Sequence, residues 1–248
     1  MRSLFPLFIA ATLLAGPARA QGLEAMTEAE RAAFRAEVKA YLLENPEVLI
    51  EAMDVLRARQ DLVEAKSDAE LLQTHAAAIF DDKASYVGGN PEGDITVVEF
   101  LDYRCSYCRK ASAEVAELVK SDGNIRFVVK EFPILGDDSI ASSRFAIAVL
   151  QLHGAAPYGV LHHALMSLRG TPDTETLSRM ASDLGLEPAP ILAHMDSAEV
   201  TAVIEANHAL GEALAISGTP TFVIDGTLLR GYVPLDGMRQ IVADERAG

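Results

Sequence analysis

The chain has 248 residues, of which half are apolar, and a formal net charge of −15 at pH 7. So acidic a surface repels nucleic acid and anionic lipid, which argues against nucleic acid as a partner. A chain of this length buries a sizeable core without disulfide bridges. The two cysteines that it contains are therefore expected to be reactive rather than structural.

Residues 1–20 are typical of a secretion signal. Arg2 supplies a positive charge, residues 4–15 form an apolar core, and Ala18-Arg19-Ala20 is a small-residue cleavage site. We expect cleavage after Ala20 and export of the mature chain. The alternative is a membrane anchor, but the apolar stretch is shorter than the ~20 residues that span a bilayer.

Residues 21–83 are predicted to form an N-terminal helical extension. Thr27 and Glu30 fit a capping box at the start of a first helix, which Asn45 and Pro46 separate from a second. Four apolar residues lie seven positions apart: Leu42, Leu49, Leu56 and Val63. This period indicates a coiled-coil seam. The sequence leaves open whether the seam mediates self-association or packs on the domain that follows.

Residues 84–248 are predicted to form a second domain, with a turn cluster at residues 88–94 close to its start. A strand at 95–102, a helix from Ser106 to about Lys120 and a strand at 125–132 make a βαβ unit. The two strands of such a unit are parallel.

The rest of this domain is predicted to begin with a helical insertion at about 137–215, in which helix breakers separate four or five short helices. Strands at 221–224 and 227–230 flank the hairpin-turn pair Asp225-Gly226, and a last helix covers about 234–244. The element order is therefore βαβ, a helical insertion, then ββα.

The two cysteines, Cys105 and Cys108, form a C-x-x-C motif where the first strand of the βαβ unit gives way to its helix. A helix N-terminus directs N–H groups and the positive end of the helix dipole at the first sulfur, which favours the thiolate. Cys108 lies one turn further along the same face. The motif predicts a redox site in which Cys105 attacks and Cys108 resolves. A copper(I) site that uses the same thiolates is the alternative.

This element order, with C-x-x-C at the first helix and Thr219-Pro220 before the third strand, resembles the DsbA-like form of the thioredoxin fold. The resemblance implies an α/β, thioredoxin-like fold with a helical insertion and an N-terminal helical extension. Residues 41–47 of the extension resemble the suppressor-of-copper-sensitivity (ScsC) branch of that family. Members of this branch can form trimers through such extensions and act as disulfide isomerases or reductases.

The resemblance also assigns roles in substrate binding. Pro220 is the expected cis-proline, and the backbone of Thr219 is expected to pair with an extended substrate strand. Ser106 and Tyr107, between the cysteines, are expected to contact substrate. They replace the Pro-His pair of strongly oxidising DsbA proteins and supply no imidazole. We therefore expect a less stabilised Cys105 thiolate and a weaker oxidant.

Glu99 is a carboxylate in the middle of an apolar strand, where it is costly unless it is paired or functional. In the resembled family a buried acid at this offset relays the proton of the resolving cysteine. We expect Glu99 to have a raised pKa and to accept the proton of Cys108. Lys130, on the neighbouring strand, is its predicted partner. The alternative is a strand-end carboxylate that faces solvent.

Together these patterns predict a periplasmic thiol–disulfide oxidoreductase, an isomerase or reductase, that acts on cysteine-containing protein substrates. Sulfur carries the chemistry, so no cofactor is expected, and a membrane-bound redox partner is expected to reset the cysteine pair. The alternatives are a dithiol oxidase of the DsbA type and a copper(I)-binding protein. The six histidines are scattered over predicted helices, and we assign them no chemical role.

Overall fold

The structure, a computed structural model, describes residues 26–248, so the predicted secretion signal lies outside the described residues. Within this range the helices are α1 (Glu28–Glu44), α2 (Glu47–Thr74), α3 (Ala76–Phe80), α4 (Ser106–Asp122), α5 (Asp137–His153), α6 (Ala155–Ser167), α7 (Thr174–Asp183), α8 (Pro188–His194), α9 (Ala198–Ala213) and α10 (Leu235–Ala247). The strands are β1 (Tyr86–Gly89), β2 (Ile95–Leu101), β3 (Ile125–Glu131), β4 (Thr221–Ile224) and β5 (Thr227–Arg230). None of the described helices is both long and apolar enough to cross a lipid bilayer.

The chain divides into two compact units, one up to Gln60 and one from Asp61 onwards. In the first unit, the capping box predicted at Thr27 is confirmed. The Thr27 N–H donates to the Glu30 carboxylate at 2.8 Å, and the Thr27 hydroxyl accepts from the Glu30 N–H. No residue of α1 is buried. The heptad residues Leu49 and Leu56 of α2 are more than half exposed, so their apolar side chains face solvent in the single chain.

The second unit is built on a five-stranded sheet with the order β1-β3-β2-β4-β5. Strands β2 and β3 are parallel, as predicted, and the other pairs are antiparallel. Parallel strands are covered on both faces, which explains their almost uninterrupted apolar sequence. Gly123 ends α4 in the left-handed conformation (φ 76°), which only a residue without Cβ adopts readily, and the chain turns into β3.

A separate hydrophobic core packs against each face of the sheet. Val97 and Leu101 lie in the core beneath α4, α5 and α6. On the opposite face, Val98 and Phe100 belong to a second core. Helices α2, α3 and α9 add Leu72, Ile79 and Leu210 to that second core, and Leu214, the C-cap residue of α9, also belongs to it.

Residues 61–83 therefore belong to the unit that carries the sheet, and the boundary predicted at residue 84 lies earlier, after Gln60. The physical reason is that Leu72 and Ile79 cover apolar sheet surface that would otherwise face water.

Strand β1 was not predicted from the sequence. Its residues Gly88 and Gly89 fall within the predicted turn cluster, yet β1 pairs antiparallel with β3 at the sheet edge. Tyr86 anchors this edge by stacking on Tyr158 of α6, with ring centroids 4.5 Å apart. Two further predictions of secondary structure are confirmed: the insertion forms the five helices α5–α9, and Asp225 and Gly226 form the turn between β4 and β5.

Candidate active site

The two cysteines differ in position at the start of α4. Cys105 is the N-cap residue and keeps 8% of its surface exposed, whereas Cys108, inside the first turn, is fully buried. Both are unpaired thiols in the structure. The arrangement confirms that one sulfur meets solvent at a helix N-terminus while the other is shielded behind it.

Asp102 holds the loop that precedes Cys105. Its buried carboxylate accepts hydrogen bonds from the N–H groups of Arg104 (2.7 Å) and Ile134 (2.8 Å) and from the Ser139 hydroxyl (2.8 Å). A carboxylate that satisfies three donors from separate segments fixes their relative positions. Asp102 thus connects the active-site loop to the start of α5, a role that the sequence analysis did not foresee.

The environment of Cys105 favours its thiolate. A hydrogen bond with the Cys108 thiol is the largest cause that lowers the pKa of Cys105, which falls to about 5. The Thr219 side chain and the N–H groups of Cys108 and Tyr107 contribute in the same direction, and burial opposes them. Thiols of this kind are largely ionised at neutral pH and are reactive nucleophiles.

Cys108 has the opposite character. Its hydrogen bond to Cys105 raises the pKa of Cys108 strongly, and burial and the charge of Glu99 raise it further. At neutral pH Cys108 therefore stays a thiol as long as Cys105 carries the negative charge. The pair is therefore asymmetric: Cys105 is a thiolate at neutral pH, and Cys108 is a thiol.

The loop before β4 closes the site on the other side of Cys105. The Thr219–Pro220 peptide bond is cis, as predicted, and the Thr219 carbonyl oxygen lies 3.1 Å from the Cys105 sulfur. Ser106 and Tyr107 are exposed beside the sulfur, and the Tyr107 ring lies 6.3 Å from that of Tyr232. The residues predicted to bind substrate thus surround the reactive sulfur.

Glu99 lies beneath the cysteines and is only 2% exposed, so a solvent-facing carboxylate is ruled out. Burial is the first cause that raises the pKa of Glu99 to about 8, followed by the charges of Cys105 and Glu131. Its Oε1 atom has no hydrogen-bond partner among the described residues. The charge of Glu99 in turn raises the pKa of Cys108, so these two groups compete for one proton.

Lys130 is not the partner of Glu99, and this prediction is wrong. Lys130 stands opposite Phe100 in the register of β2 and β3, whereas Glu99 stands opposite Val129. Because side chains alternate along a strand, Lys130 and Glu99 point to opposite faces of the sheet. The Lys130 ammonium donates to Asp82 (2.6 Å) and to the Ala78 carbonyl (2.8 Å).

Comparison with known proteins agrees with this geometry. Residues 96–243 match the DSBA-like thioredoxin domain, and residues 30–61 match the N-terminal domain of the copper resistance protein ScsC. The chain belongs to the DsbA-like thioredoxin family. Its class is therefore that of thiol–disulfide oxidoreductases, in the ScsC-like form with an N-terminal helical region.

Three solved structures illustrate this relationship. A thioredoxin-like oxidoreductase from Silicibacter pomeroyi is 40% identical, with a TM-score of 0.65 over 69% of this chain and 98% of that one. BcfH of Salmonella enterica Typhimurium is 28% identical, with a TM-score of 0.71 over 89% of this chain and 97% of that one. Proteus mirabilis ScsC in a transitional conformation is 25% identical, with a TM-score of 0.66 over 90% and 98%.

Among curated relatives, the chain also matches sodium/proton antiporters of the NhaA type, for example 32% identity to that of Nitrosospira multiformis over 63% of this chain. The chain spans only about a quarter of the length of the antiporters it matches.

A second buried acid, Glu131, lies at the end of β3 of the DsbA-like domain and is 3% exposed. It accepts hydrogen bonds from Tyr103 (2.8 Å) and Ser143 (2.7 Å) and from Tyr158 (2.5 Å). This cluster was not predicted from the sequence. The signal was available, because Glu131 interrupts an apolar strand just as Glu99 does.

The surroundings of the site offer little to a metal ion. Within residues 26–248 no group of three or more His, Cys, Asp or Glu side chains is arranged to hold one. A copper(I) ion would therefore depend on the two sulfurs alone. A cavity of about 430 Å³ beside α4 is lined by Glu99, Ser112, His162 and His163. Its polar wall gives buried Glu99 a neighbouring space large enough for water.

Proposed function

We propose that this protein is a periplasmic thiol–disulfide oxidoreductase that reduces or isomerises disulfides in protein substrates. The observation that carries the proposal is the asymmetry of the cysteine pair. Cys105 has a pKa lowered to about 5 and keeps 8% of its surface exposed, while Cys108 is fully buried as a thiol next to Glu99. A thiolate that captures a disulfide and a shielded thiol that releases it are the two groups that exchange requires.

The first step follows from the ionised Cys105 sulfur, which is the less buried of the two. The Cys105 sulfur attacks one sulfur of a substrate disulfide, that S–S bond breaks, and the second substrate sulfur leaves as a thiolate. The product is a mixed disulfide between Cys105 and the substrate. Thr219, whose carbonyl lies beside the Cys105 sulfur, would hold an extended substrate segment by backbone hydrogen bonds.

Capture of the substrate changes the acidity of both buried groups. The Cys105 charge is one cause of the raised pKa of Glu99, and its hydrogen bond is the main cause of the raised pKa of Cys108. Both causes disappear when Cys105 enters the mixed disulfide. Glu99 then ionises more readily and accepts the Cys108 proton. The Cys108 thiolate attacks Cys105, and the substrate leaves as a thiolate that takes a proton from water.

Two features favour isomerase or reductase activity over oxidase activity. Ser106 and Tyr107 provide no imidazole beside the thiolate. The Cys105 pKa of about 5 lies between those of thioredoxin, about 7, and strongly oxidising DsbA, about 3.5. A less stabilised thiolate makes the reduced pair a better electron donor. Such an enzyme needs a membrane-bound redox partner that returns Cys105 and Cys108 to the dithiol.

The N-terminal unit supports assembly into a homo-oligomer, a trimer by analogy with the resembled branch. Apolar side chains of α1 and α2 are exposed on the single chain, among them Phe34, Tyr41, Leu49, Met53 and Leu56. Burying such residues against other copies removes apolar surface from water. An isomerase gains from several active sites on one substrate, because the sites act at high effective concentration.

The experiment is reactivation of scrambled ribonuclease by the reduced mature protein, with light scattering to report its oligomeric state. We expect reactivation, its loss in Cys105→Ser, and accumulation of mixed disulfide in Cys108→Ser. Oxidation of reduced ribonuclease without reshuffling of scrambled bridges would replace the proposal with a dithiol oxidase. Stoichiometric copper(I) binding without any exchange activity would replace it with a copper-binding protein.

A further inference from the structure

Glu131 and Glu99 form a buried pair of acids on one face of the sheet. Leu101 and Glu131 stand opposite each other in the parallel register of β2 and β3, and Glu99 lies two residues before Leu101. Side chains two residues apart in a strand share a face, so both carboxyl groups enter the core that also contains Cys108. Their charges interact, since Glu131 contributes to the raised pKa of Glu99.

The hydrogen bonds of the two acids differ sharply. Glu131 accepts from the three hydroxyl groups of Tyr103, Ser143 and Tyr158. Glu99 has an unpartnered Oε1. Hydrogen-bond donors favour the ionised form of a carboxyl group, and burial without donors favours the neutral form. The pair is therefore built so that Glu131 ionises first and Glu99 keeps its proton longer.

No basic side chain neutralises this pair. None of the salt bridges formed by residues 26–248 includes Glu99 or Glu131. His162, whose Nδ1 lies 3.3 Å from the Tyr103 hydroxyl, is buried, and burial lowers its pKa to about 3, so it is neutral. Two carboxylates without a counter-charge in a buried site do not ionise independently.

The titratable groups around Glu131 come from four segments. Glu99 lies on β2, and Asp102 and Tyr103 follow it in the loop. The start of α4 contributes two cysteines. The charge of Cys105 raises the pKa of Glu99, and the charge of Glu99 raises the pKa of Cys108. Helix α6 contributes Tyr158 and His162, with His163 beside His162. Asp102 and Glu99 are both acids, so they repel the negative charge of Glu131 and do not neutralise it.

We propose that Glu131 is a positioning residue for the proton step at Cys108: its negative charge keeps the proton on Glu99 and so sets the pH at which Glu99 becomes a base. The inference rests on the proposed proton transfer from Cys108 to Glu99. Burial raises the pKa of Glu131 to about 7, below that of Glu99 at about 8, which agrees with Glu131 ionising first. The hydroxyl groups of Tyr103, Ser143 and Tyr158 stabilise the Glu131 carboxylate, and through its charge they affect the pH at which Glu99 accepts the Cys108 proton.

The test is the titration of the Glu99 carboxyl carbon by NMR in the reduced wild type and in Glu131→Gln, which keeps an acceptor for the hydroxyl groups but removes the charge. We expect the Glu99 midpoint to fall by about one pH unit in the variant. The pH profile of mixed-disulfide resolution, followed after rapid mixing with substrate, should shift in the same direction. A Glu99 midpoint equal to that of the wild type would overturn the proposal and leave Glu131 a structural acceptor.

Ser143→Ala keeps the proposal testable if Glu131→Gln does not fold. It removes one donor to Glu131, so Glu131 is less ionised at neutral pH and the Glu99 midpoint should fall, but by less than in Glu131→Gln. In a Glu99→Gln background, Glu131→Gln should no longer move the resolution profile. A Glu99→Gln enzyme that resolves mixed disulfides normally would refute the relay, while the NMR titration would still report the coupling of the two acids.

Discussion

The Cys105 sulfur lies 3.1 Å from the Thr219 carbonyl oxygen, across the gap between the start of α4 and the loop before β4. The Thr219 side chain also lowers the pKa of Cys105. One residue therefore contacts the nucleophile through its backbone and stabilises the thiolate through its side chain. Since the same backbone is proposed to bind substrate, binding of a substrate and the acidity of the nucleophile are linked at Thr219.

Substitution Thr219→Val should raise the pKa of Cys105, because it removes the hydroxyl and keeps the shape of the side chain. Thiolate absorbance at 240 nm, recorded against pH in the reduced protein, measures the change. Thr221→Val is the matched control, since the Thr221 hydroxyl bonds to the Gly218 carbonyl in the same loop. Equal shifts in both variants would mean that the loop, not the Thr219 hydroxyl, controls the thiolate.

Replacement of the resolving cysteine should also raise the pKa of Cys105. The Cys108 thiol is the largest cause of its low value, so Cys108→Ala removes the main stabilisation and Cys108→Ser, which retains a donor, removes less. The pH dependence of iodoacetamide alkylation gives the readout. In the wild type the rate should fall as pH drops through about 5, and in Cys108→Ala this fall should occur at higher pH. An unchanged profile in Cys108→Ala would contradict the assignment.

The catalytic motif and the βαβ unit could be predicted from the sequence because local signals specify them. A C-x-x-C pair at a strand-to-helix transition and a Thr-Pro before a strand depend on nearby residues, and the structure bears both out. Strand β1 was missed because Gly88 and Gly89 have low strand propensity. Their pairing with β3 is a tertiary contact between segments about forty residues apart.

The pairing of Lys130 with Glu99 was predicted wrongly because the sequence does not give the register between β2 and β3. Lys130 and Glu131 are adjacent, so a shift of one residue exchanges the faces to which they point. Of these two, Glu131 shares a face with Glu99, and Lys130 covers the other core. The sequence alone identified Glu99 as a costly charge in β2, but it did not show that Glu131 is its neighbour on the same face.

The position of Lys130 yields a stability prediction. Asp82→Ala should destabilise the protein by about 3 kcal/mol, because it leaves a buried ammonium with only the Ala78 carbonyl as acceptor. The double variant Asp82→Ala/Lys130→Met should recover most of that loss, since it removes both charges. Urea unfolding of the reduced proteins measures the differences. The 240 nm titration of Cys105 should stay the same in the double variant, and a shift there would contradict the separation of the two sheet faces.

Glu99→Gln should make the reduced protein more stable, by an amount that grows with pH. Burial raises the pKa of Glu99 to about 8 in the folded state, against about 4.3 in the unfolded chain. Between these values the folded state holds a proton that the unfolded state releases, so wild-type stability falls as pH rises through this window. At pH 7 the cost is about 4 kcal/mol, and it levels off above pH 8.

The measurement is the free energy of unfolding in urea at a series of pH values from 4.5 to 8.5, with reductant present throughout. The difference between Glu99→Gln and the wild type should widen steadily towards pH 8. Glu114→Gln is the control of opposite sign, since the hydrogen bond from Tyr232 lowers the pKa of Glu114, and its contribution is lost as pH falls. If the Glu99→Gln difference is flat across this range, Glu99 is ionised in the folded protein and cannot hold the proton that the proposed relay assigns to it.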